Sequence, residues 1–568
     1  MEERRLLLAV ALSLLILTGY SLLFGPRARP PAEPAPSPGS AEPLAGTPAP
    51  DTAPPVAPPP EAPEVPASAP PVVSVPTLAA EREQRVEVVA DEYTIAFSNR
   101  GARLLSWTLA DYPDAQGRPE EMVPAVTPGM RPLDIVTGDP AVDEQLEAAL
   151  FLPSTDTLRV RGGTPRTLSF QYADGQIQAE KALTFQDDGL ISVSVSVSSN
   201  GQPIPRRVVW GPGLGNPSAE ERDVRGFKEP EGVALVEGSV ERFAPAKLGP
   251  VGREVSAARW VGLESRYFVA LFIPSEGLAS GEIQPVTLPA GREEEATVAA
   301  AAAIDVTGDR PVFLYVGAKD HQQLKGLGYG LERVVPVGDW IGPIVVPLLR
   351  LLRWVHGRVG NWGWAIVILT ILINMVMAPL RHYSIANGMK MAKMSPEMKV
   401  IQERYRKVPM MDPRRQKMQE EMGALYAKHG MSMGTQMLVG CLPLLLTMPF
   451  LFAFYRVLMI SVELRGAPFL WIPDLSHKDP YYITPLLMGV SMYTMQRLTP
   501  TTMDPAQQRI MMLMPLMLTG MFLWAPAGLN LYWLTANLWS LLQQAVEMRL
   551  LRPKEPVPVP TKGGRRKR

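Results

Sequence analysis

The chain has 568 residues, with 56 Lys and Arg against 56 Asp and Glu, and 46% of it is hydrophobic. Its one cysteine, Cys441, and five scattered histidines (His321, His356, His382, His429, His477) exclude a disulfide framework and show no metal-ligand spacing. The zero net charge hides an uneven layout, with basic clusters beside apolar runs and acidic residues spread through the first half.

Residues 6–24 are apolar and follow Arg4-Arg5. This run is longer than the ~7–15-residue core of a signal peptide, and no small-x-small cleavage site precedes Pro26. Residues 1–25 therefore read as an N-terminal transmembrane anchor, with a cleaved signal as the alternative. Prolines crowd residues 26–76, and 26–80 reads as an extended Pro-rich linker. From 81 to 335 the pattern is that of an all-β sandwich. Its clearest strand is 190–198, where Ile191, Val193, Val195 and Val197 alternate with serines after the turn signal Asp187-Asp188-Gly189. Tyr93, Ile95 and Phe97 alternate likewise, 267–273 and 312–316 are strand-like, and 320–332 predicts a closing helix. A sugar-active sandwich needs paired acid–base groups. Only His321 lies in this region, within the predicted helix, so a structural or docking module is the better reading.

Residues 336–360 predict an amphipathic interfacial helix, because 344–356 is apolar with Arg350, Arg353 and His356 at spacing three. A helix buried against the sandwich is the alternative. The apolar runs 362–380, 438–459, 482–496, 510–524 and 529–546 then supply candidate spans. Two of them, 482–496 and 510–524, need flanking residues to cross ~30 Å of hydrocarbon. Lys and Arg crowd into 381–437 and the tail after Val546, whereas 461–480 and 525–528 are nearly uncharged or mixed. The positive-inside rule puts both termini and the 381–437 segment in the cytoplasm and the sandwich outside. The expected architecture is a multi-domain membrane protein of six transmembrane helices. Five form a core over 361–550, joined by an all-β periplasmic sandwich, a cytoplasmic helical hairpin at 381–437 and a basic tail at 551–568.

Within the hairpin, 381–407 and 414–429 read as basic helices, with Asp412-Pro413 as an N-terminal signal and Gly430 as a stop. Its many methionines suit either an adaptable apolar surface for hydrophobic clients or simple packing of the two helices. Lys390, Lys393, Arg404, Arg406, Lys407, Arg414 and Arg415 form a basic face that suits ribosomal RNA, a targeting factor or plain solvent.

Polar residues recur inside the apolar runs. Thr370, Asn374 and Arg381 share one helical face, as do Gln436, Gly440, Pro443 and Thr447, and Asn530, Trp533, Asn537, Ser540 and Gln544. Such stripes serve either as interhelical glue or as walls of a water-accessible groove. No ionisable residue stands at the centre of a span, which argues against ion coupling, and no Walker-type glycine loop points to ATP. A secondary transporter would show inverted repeats and midplane charges, and neither is evident.

A combination of motifs resembles the bacterial YidC membrane-protein insertase family. It comprises Asn361-Trp362-Gly363, Ala378-Pro379-Leu380, Met391-Ala392-Lys393-Met394 with Pro396, and Gly440-Cys441-Leu442-Pro443. Further on come Ser461-Val462-Glu463-Leu464-Arg465, Asp479-Pro480-Tyr481-Tyr482, Pro500-Thr501-Thr502, Gly528-Leu529-Asn530-Leu531-Tyr532-Trp533 and Gln543-Gln544. The resemblance is strong over about 340–549, and the sandwich and first anchor fit the Gram-negative form more loosely. It implies an inner-membrane insertase and chaperone, not an enzyme, that works on nascent membrane proteins alone or beside the Sec translocon. It implies further contacts with the ribosome and membrane lipids, and no cofactor, metal or small-molecule substrate. The expected groove is lined by Thr370, Asn374, Arg381, Gly440, Thr447, Tyr532, Trp533 and Asn537. In one respect the chain departs from the pattern: the family's groove arginine corresponds to Asn374, which carries no charge, and Arg381 stands two helical turns nearer the cytoplasm.

Overall fold

The computed structural model of the chain describes residues 77–550, apart from 115, 126–128, 163, 187–188, 218–221, 223–227, 289–297, 307, 309, 339, 406–407, 409–411, 430–447 and 499–504. The expected anchor, nearly all of the linker and the basic tail lie outside the described residues. The chain divides into two compact units: one is, in its described part, residues 396–433, and the other takes in residues 72–395 and 434–568.

The first half of the larger unit is a β-sandwich. A five-stranded sheet runs in the order Pro119–Glu121, Arg103–Pro113, Tyr93–Ser98, Arg85–Val89 and Thr157–Arg159. It faces a 14-stranded sheet, whose middle holds Phe268–Pro274, Val312–Ala318, Ile191–Ser199 and Ile177–Phe185 as successive antiparallel neighbours. Inward side chains of both sheets form one core, with Val86, Val88, Ile95, Phe97 and Trp107 meeting Phe170, Phe185, Val193, Val195 and Trp210. Phe97 lies 5.6 Å from Phe170 and Trp107 lies 5.8 Å from Trp210, ring centre to ring centre. The strand Ile191–Ser199 keeps the expected alternation, its valines buried and its serines turned outward. Phe268–Pro274 is instead buried on both faces as far as Ile273. Phe268, Ala270 and Phe272 enter the sandwich core, while Val269, Leu271 and Ile273 meet Leu324, Leu331, Val334 and Val335. A strand covered on both sides has no reason to alternate.

A short helix, α1 (Pro140–Ala148), decorates the sandwich, and α2 (His321–Leu327) closes it. Asp320 caps α2, accepting from the Gln322 and Gln323 N–H groups at 2.7 and 3.1 Å. Gly328, at φ +83°, stops the helix, and a 3₁₀ turn over Leu331–Val334 follows. The single helix expected over 320–332 is thus two pieces.

The helical part begins with α3 (Gly342–Val359). Its apolar face (Val345, Leu348, Leu349, Leu352, Val355) joins the core of the helices that follow, among Ile366, Phe454, Val457 and Leu529. The cations expected on one face of this helix separate. Arg350 is exposed, Arg353 turns inward to two carboxylates, and His356 stacks on Trp362 at 3.7 Å. Next, α4 (Trp362–Arg404) runs without a break through both the expected span and the first hairpin helix. Its segment Trp362–Met391 is the one stretch among the described residues both long and apolar enough to cross a membrane. After α5 (Arg414–Lys428) come α6 (Met448–Ile460), α7 (Ile483–Leu498), α8 (Pro505–Phe522) and α9 (Ala527–Leu550).

In the smaller unit, Met398, Leu425 and Tyr426 are buried, and Arg404 bridges to Glu421 at 2.9 Å. That burial is what packing of the hairpin by its own apolar residues requires. The helix α5 starts at Arg414, as expected, but its cap position is Pro413 and not Asp412, whose side chain accepts from the Arg414 N–H at 2.9 Å.

Candidate functional site

Within the largely apolar helical core, a seam of polar side chains lies along α4 and α9. On α4, Thr370 is fully buried and Asn374 nearly so. Each satisfies itself on its own helix: Thr370 Oγ1 donates to the Ile366 carbonyl and Asn374 Nδ2 to the Thr370 carbonyl, both at 2.7 Å. Such back-bonding removes a donor from hydrocarbon without a neighbouring helix. The Asn374 side chain is therefore buried with one of its two amide N–H groups spent on its own backbone.

From α9, Asn530 reaches the Phe522 carbonyl at 3.2 Å, and Asn537 donates to Ser491 Oγ of α7 at 3.1 Å. Ser491 in turn donates to the Met488 carbonyl at 2.7 Å. The Arg381 guanidinium of α4 bonds Ser540 of α9, and Ser540 donates to the Ala536 carbonyl. Aromatic rings flank the seam: Tyr532 stacks on Phe454 at 4.1 Å and Trp533 meets Phe522 edge-on at 4.6 Å. The contact of Ile366 with Gly528 at one end and the Arg381–Ser540 bond at the other show that α4 and α9 run side by side and parallel.

Of the expected groove residues, Thr370, Asn374, Arg381, Tyr532, Trp533 and Asn537 all lie in this core, along α4 and α9. Gly440 and Thr447 lie outside the described residues. Of the expected hairpin cations, Lys390 and Lys393 are exposed on α4, Arg404 bridges Glu421, and Arg414 bridges Asp412 at 2.7 Å. Arg406 and Lys407 lie outside the described residues, and Arg415 belongs to α5. Among the described residues no group of three or more His, Cys, Asp or Glu side chains is placed to hold a metal ion.

Sequence reasoning missed Ser491, the acceptor for Asn537, because a serine among the methionines of α7 has no recurrence to mark it. It also missed Gln496. Pro515 of α8 has no N–H for the Met511 carbonyl, and Gln496 Nε2 of α7 supplies that donor at 2.8 Å. The proline was a visible signal, but its partner on another helix was not.

The outer end of the core is tied to the sandwich by charge. Arg353 donates to Asp320 Oδ2 at 2.8 Å and to Glu463 Oε1 at 2.7 Å. Arg465 meets Glu120 at 2.7 Å with both side chains more than nine-tenths buried. Arg456 donates to the Pro336 carbonyl at 2.5 Å.

Comparison with known proteins gives matches along nearly the whole chain. Residues 85–351 match the family model described as the YidC periplasmic domain, and 354–554 match that of the 60Kd inner membrane protein. The membrane protein insertase YidC of Geobacter metallireducens is 32% identical over 558 residues, covering 96% of this chain and 98% of its own. That of Geobacter sulfurreducens is 34% identical over 563 residues, covering 95% and 97%. Among solved structures, an active YidC insertase with its first transmembrane domain resolved is 18% identical, with a TM-score of 0.34 over 84% of this chain and 95% of that one.

Proposed function

The chain belongs to the YidC family of membrane protein insertases, and we propose that it inserts nascent membrane proteins along the polar seam between α4, α7 and α9. The single observation that carries this reading is the row of buried polar side chains along α4 and α9, where Thr370, Asn374 and Asn537 are buried, Asn537 bonds Ser491 of α7 and Arg381 bonds Ser540. Amides and hydroxyls that bond only to their own backbone or to one another can trade those bonds for a client's polar groups at little cost. The desolvation barrier for a polar client segment, several kcal/mol per unsatisfied group in hydrocarbon, falls accordingly. Burial of the client's apolar helix in lipid then supplies the driving force.

In this reading the core is five spans and the whole chain six, with both termini and the hairpin cytoplasmic and the sandwich periplasmic, as the charge distribution supports. Gly440 and Thr447 complete the groove wall. The basic residues Lys390, Lys393, Arg404, Arg406, Lys407, Arg414 and Arg415 meet the ribosome, and larger clients pass by way of the Sec translocon. Arg381, held by Ser540, supplies the groove's positive charge, which Asn374 lacks.

The test is insertion of a single-span client into liposomes that contain only this protein, with photocrosslinks placed at Asn374 and Asn537. Insertion with crosslinks at both positions supports the seam as the path. Insertion without either crosslink sinks that path. Asn374→Arg restores a charge at the seam and is expected to be tolerated and to favour clients with acidic translocated segments. Unchanged or lost insertion of acidic clients would overturn capture at this position.

A further inference from the structure

A second polar ladder lies on α9, on a different face from the seam. Trp539, Gln543 and Glu547 stand four residues apart, so they form one stripe roughly a third of a turn away from Asn537 and Gln544. All three line a cleft of about 500 Å³ between α9 and α4, walled by Met375, Pro379, Leu542 and Val546. Trp539 Nε1 and Gln543 Oε1 are buried with no hydrogen-bond partner among the described residues, and Glu547 Oε2 is buried without a hydrogen bond, facing only the His382 imidazole. Gln543 Nε2 is used, donating to the Ala378 carbonyl at 2.9 Å and to Glu547 Oε1 at 2.8 Å, which fixes the amide with its oxygen free. Glu547 is 7% exposed, and its Oε2 sits 3.3 Å from His382 Nδ1 at the end of the cleft away from the sandwich.

Buried polar atoms left without partners are rare and ask for an occupant. Gln543 Oε1 is an acceptor without a donor, and the Glu547 carboxylate beside it meets no Lys or Arg among the described residues, only the His382 imidazole, so a cationic head bearing N–H donors suits the pair. The walls are apolar and open, with Met375, Leu542 and Val546 about half exposed, so its body must be hydrocarbon. From Trp539 to Glu547 the helix rises ~12 Å, enough for a headgroup, a glycerol and the first methylenes. We propose that this cleft binds a phospholipid with a primary ammonium headgroup. The ammonium lies between Glu547 and Gln543, Trp539 Nε1 donates to an ester oxygen, and an acyl chain lies along Leu542 and Met375. A quaternary headgroup has no N–H to donate and fits the same walls without satisfying the acceptors.

This inference rests on the membrane placement of α4 and α9, and its readout is independent of insertion. The full chain is reconstituted in bilayers of ethanolamine- and choline-headed phospholipids with identical acyl chains, then released for native mass spectrometry of retained lipid. One ethanolamine lipid is expected to be retained at least about tenfold over choline, the scale of a lost charge-assisted hydrogen bond. Glu547→Gln is expected to abolish the preference, and Leu542→Trp, which fills the cleft and leaves the carboxylate, to abolish retention. Equal retention of both headgroups, or a preference that survives Glu547→Gln, overturns the proposal. So does an empty cleft whose photocrosslinks from Leu542 capture a cationic client segment. If insertion fails but the headgroup preference holds, the insertion path is wrong and the lipid site stands.

Discussion

Lys181 occupies a position that the two-residue period of its strand turns into the sandwich, between Ala179 and Leu183. Its Nζ donates to the Ala102 and Leu133 carbonyls at 2.7 and 2.6 Å, two residues whose positive φ (45° and 67°) turns their peptides out of any strand ladder. Burial lowers its pKa to about 8, against the helping charge of Asp134. The folded state therefore holds fewer protons than the unfolded chain between pH 8 and 10.5, and stability rises with pH across that window. The full rise is about 3 kcal/mol and is expected to vanish in Lys181→Met, read by denaturant unfolding of the detergent-solubilised chain. The alternation marked this position as inward, but the carbonyls it serves come from loops far away in the sequence. At Asn374 the opposite holds. Sequence placed an amide in a span, and the structure adds that one of its N–H groups is committed to its own helix.

At the scale of elements, several of the motifs that marked the family have a local physical account. Asn361 accepts from the Trp364 N–H at 3.2 Å and donates to the Pro468 carbonyl at 3.0 Å, Trp362 stacks on His356, and a Cβ on Gly363 would run into the Phe469 ring. Asp479 is fully buried at the start of α7, accepting from the Thr484 N–H and hydroxyl at 2.7 and 2.8 Å and from the Tyr481 N–H at 3.0 Å. Burial pushes its carboxyl pKa up, but these donors outweigh that and hold it below the usual range. Close approach sets the pairing of α7 with α8, where a Cβ on Gly489 would meet the Thr519 hydroxyl. Gly489→Val is expected to cost about 1–3 kcal/mol and lower the melting temperature in detergent. Thr519→Ala in the same chain is expected to restore much of it, and a double variant no better than the single would show that the helices do not meet there. These helices were legible from their apolar runs. Their mutual contacts were not, because a lone glycine or glutamine in a helix carries no mark of its partner.

Over the whole molecule, the tie between sandwich and helical core combines a few charges with the packing of Ile460 and Val462 against the sandwich. Arg353 joins Asp320, which also caps α2, to Glu463 in the loop after α6. Arg353→Ala leaves two partly buried carboxylates facing each other and is expected to cost about 2–4 kcal/mol, with faster proteolysis near residues 335–341 as the second readout. Unaltered stability and cleavage would mean that apolar contacts at the junction, such as Val462 in the sandwich core, hold it without this cation. The order of the parts was legible in the sequence, because apolar length, charge flanks and two-residue alternation are properties of consecutive residues. So was the family, because some of its motifs, such as Asn361-Trp362-Gly363 and Asp479-Pro480-Tyr481-Tyr482, lie at helix starts, where local geometry restricts the residue. What only the tertiary structure decided is which polar groups end as a shared seam, which are spent on their own backbone and which remain without a partner. Hydrogen bonding is settled by neighbours in space, and the residues that meet across α4, α7 and α9 are far apart along the chain.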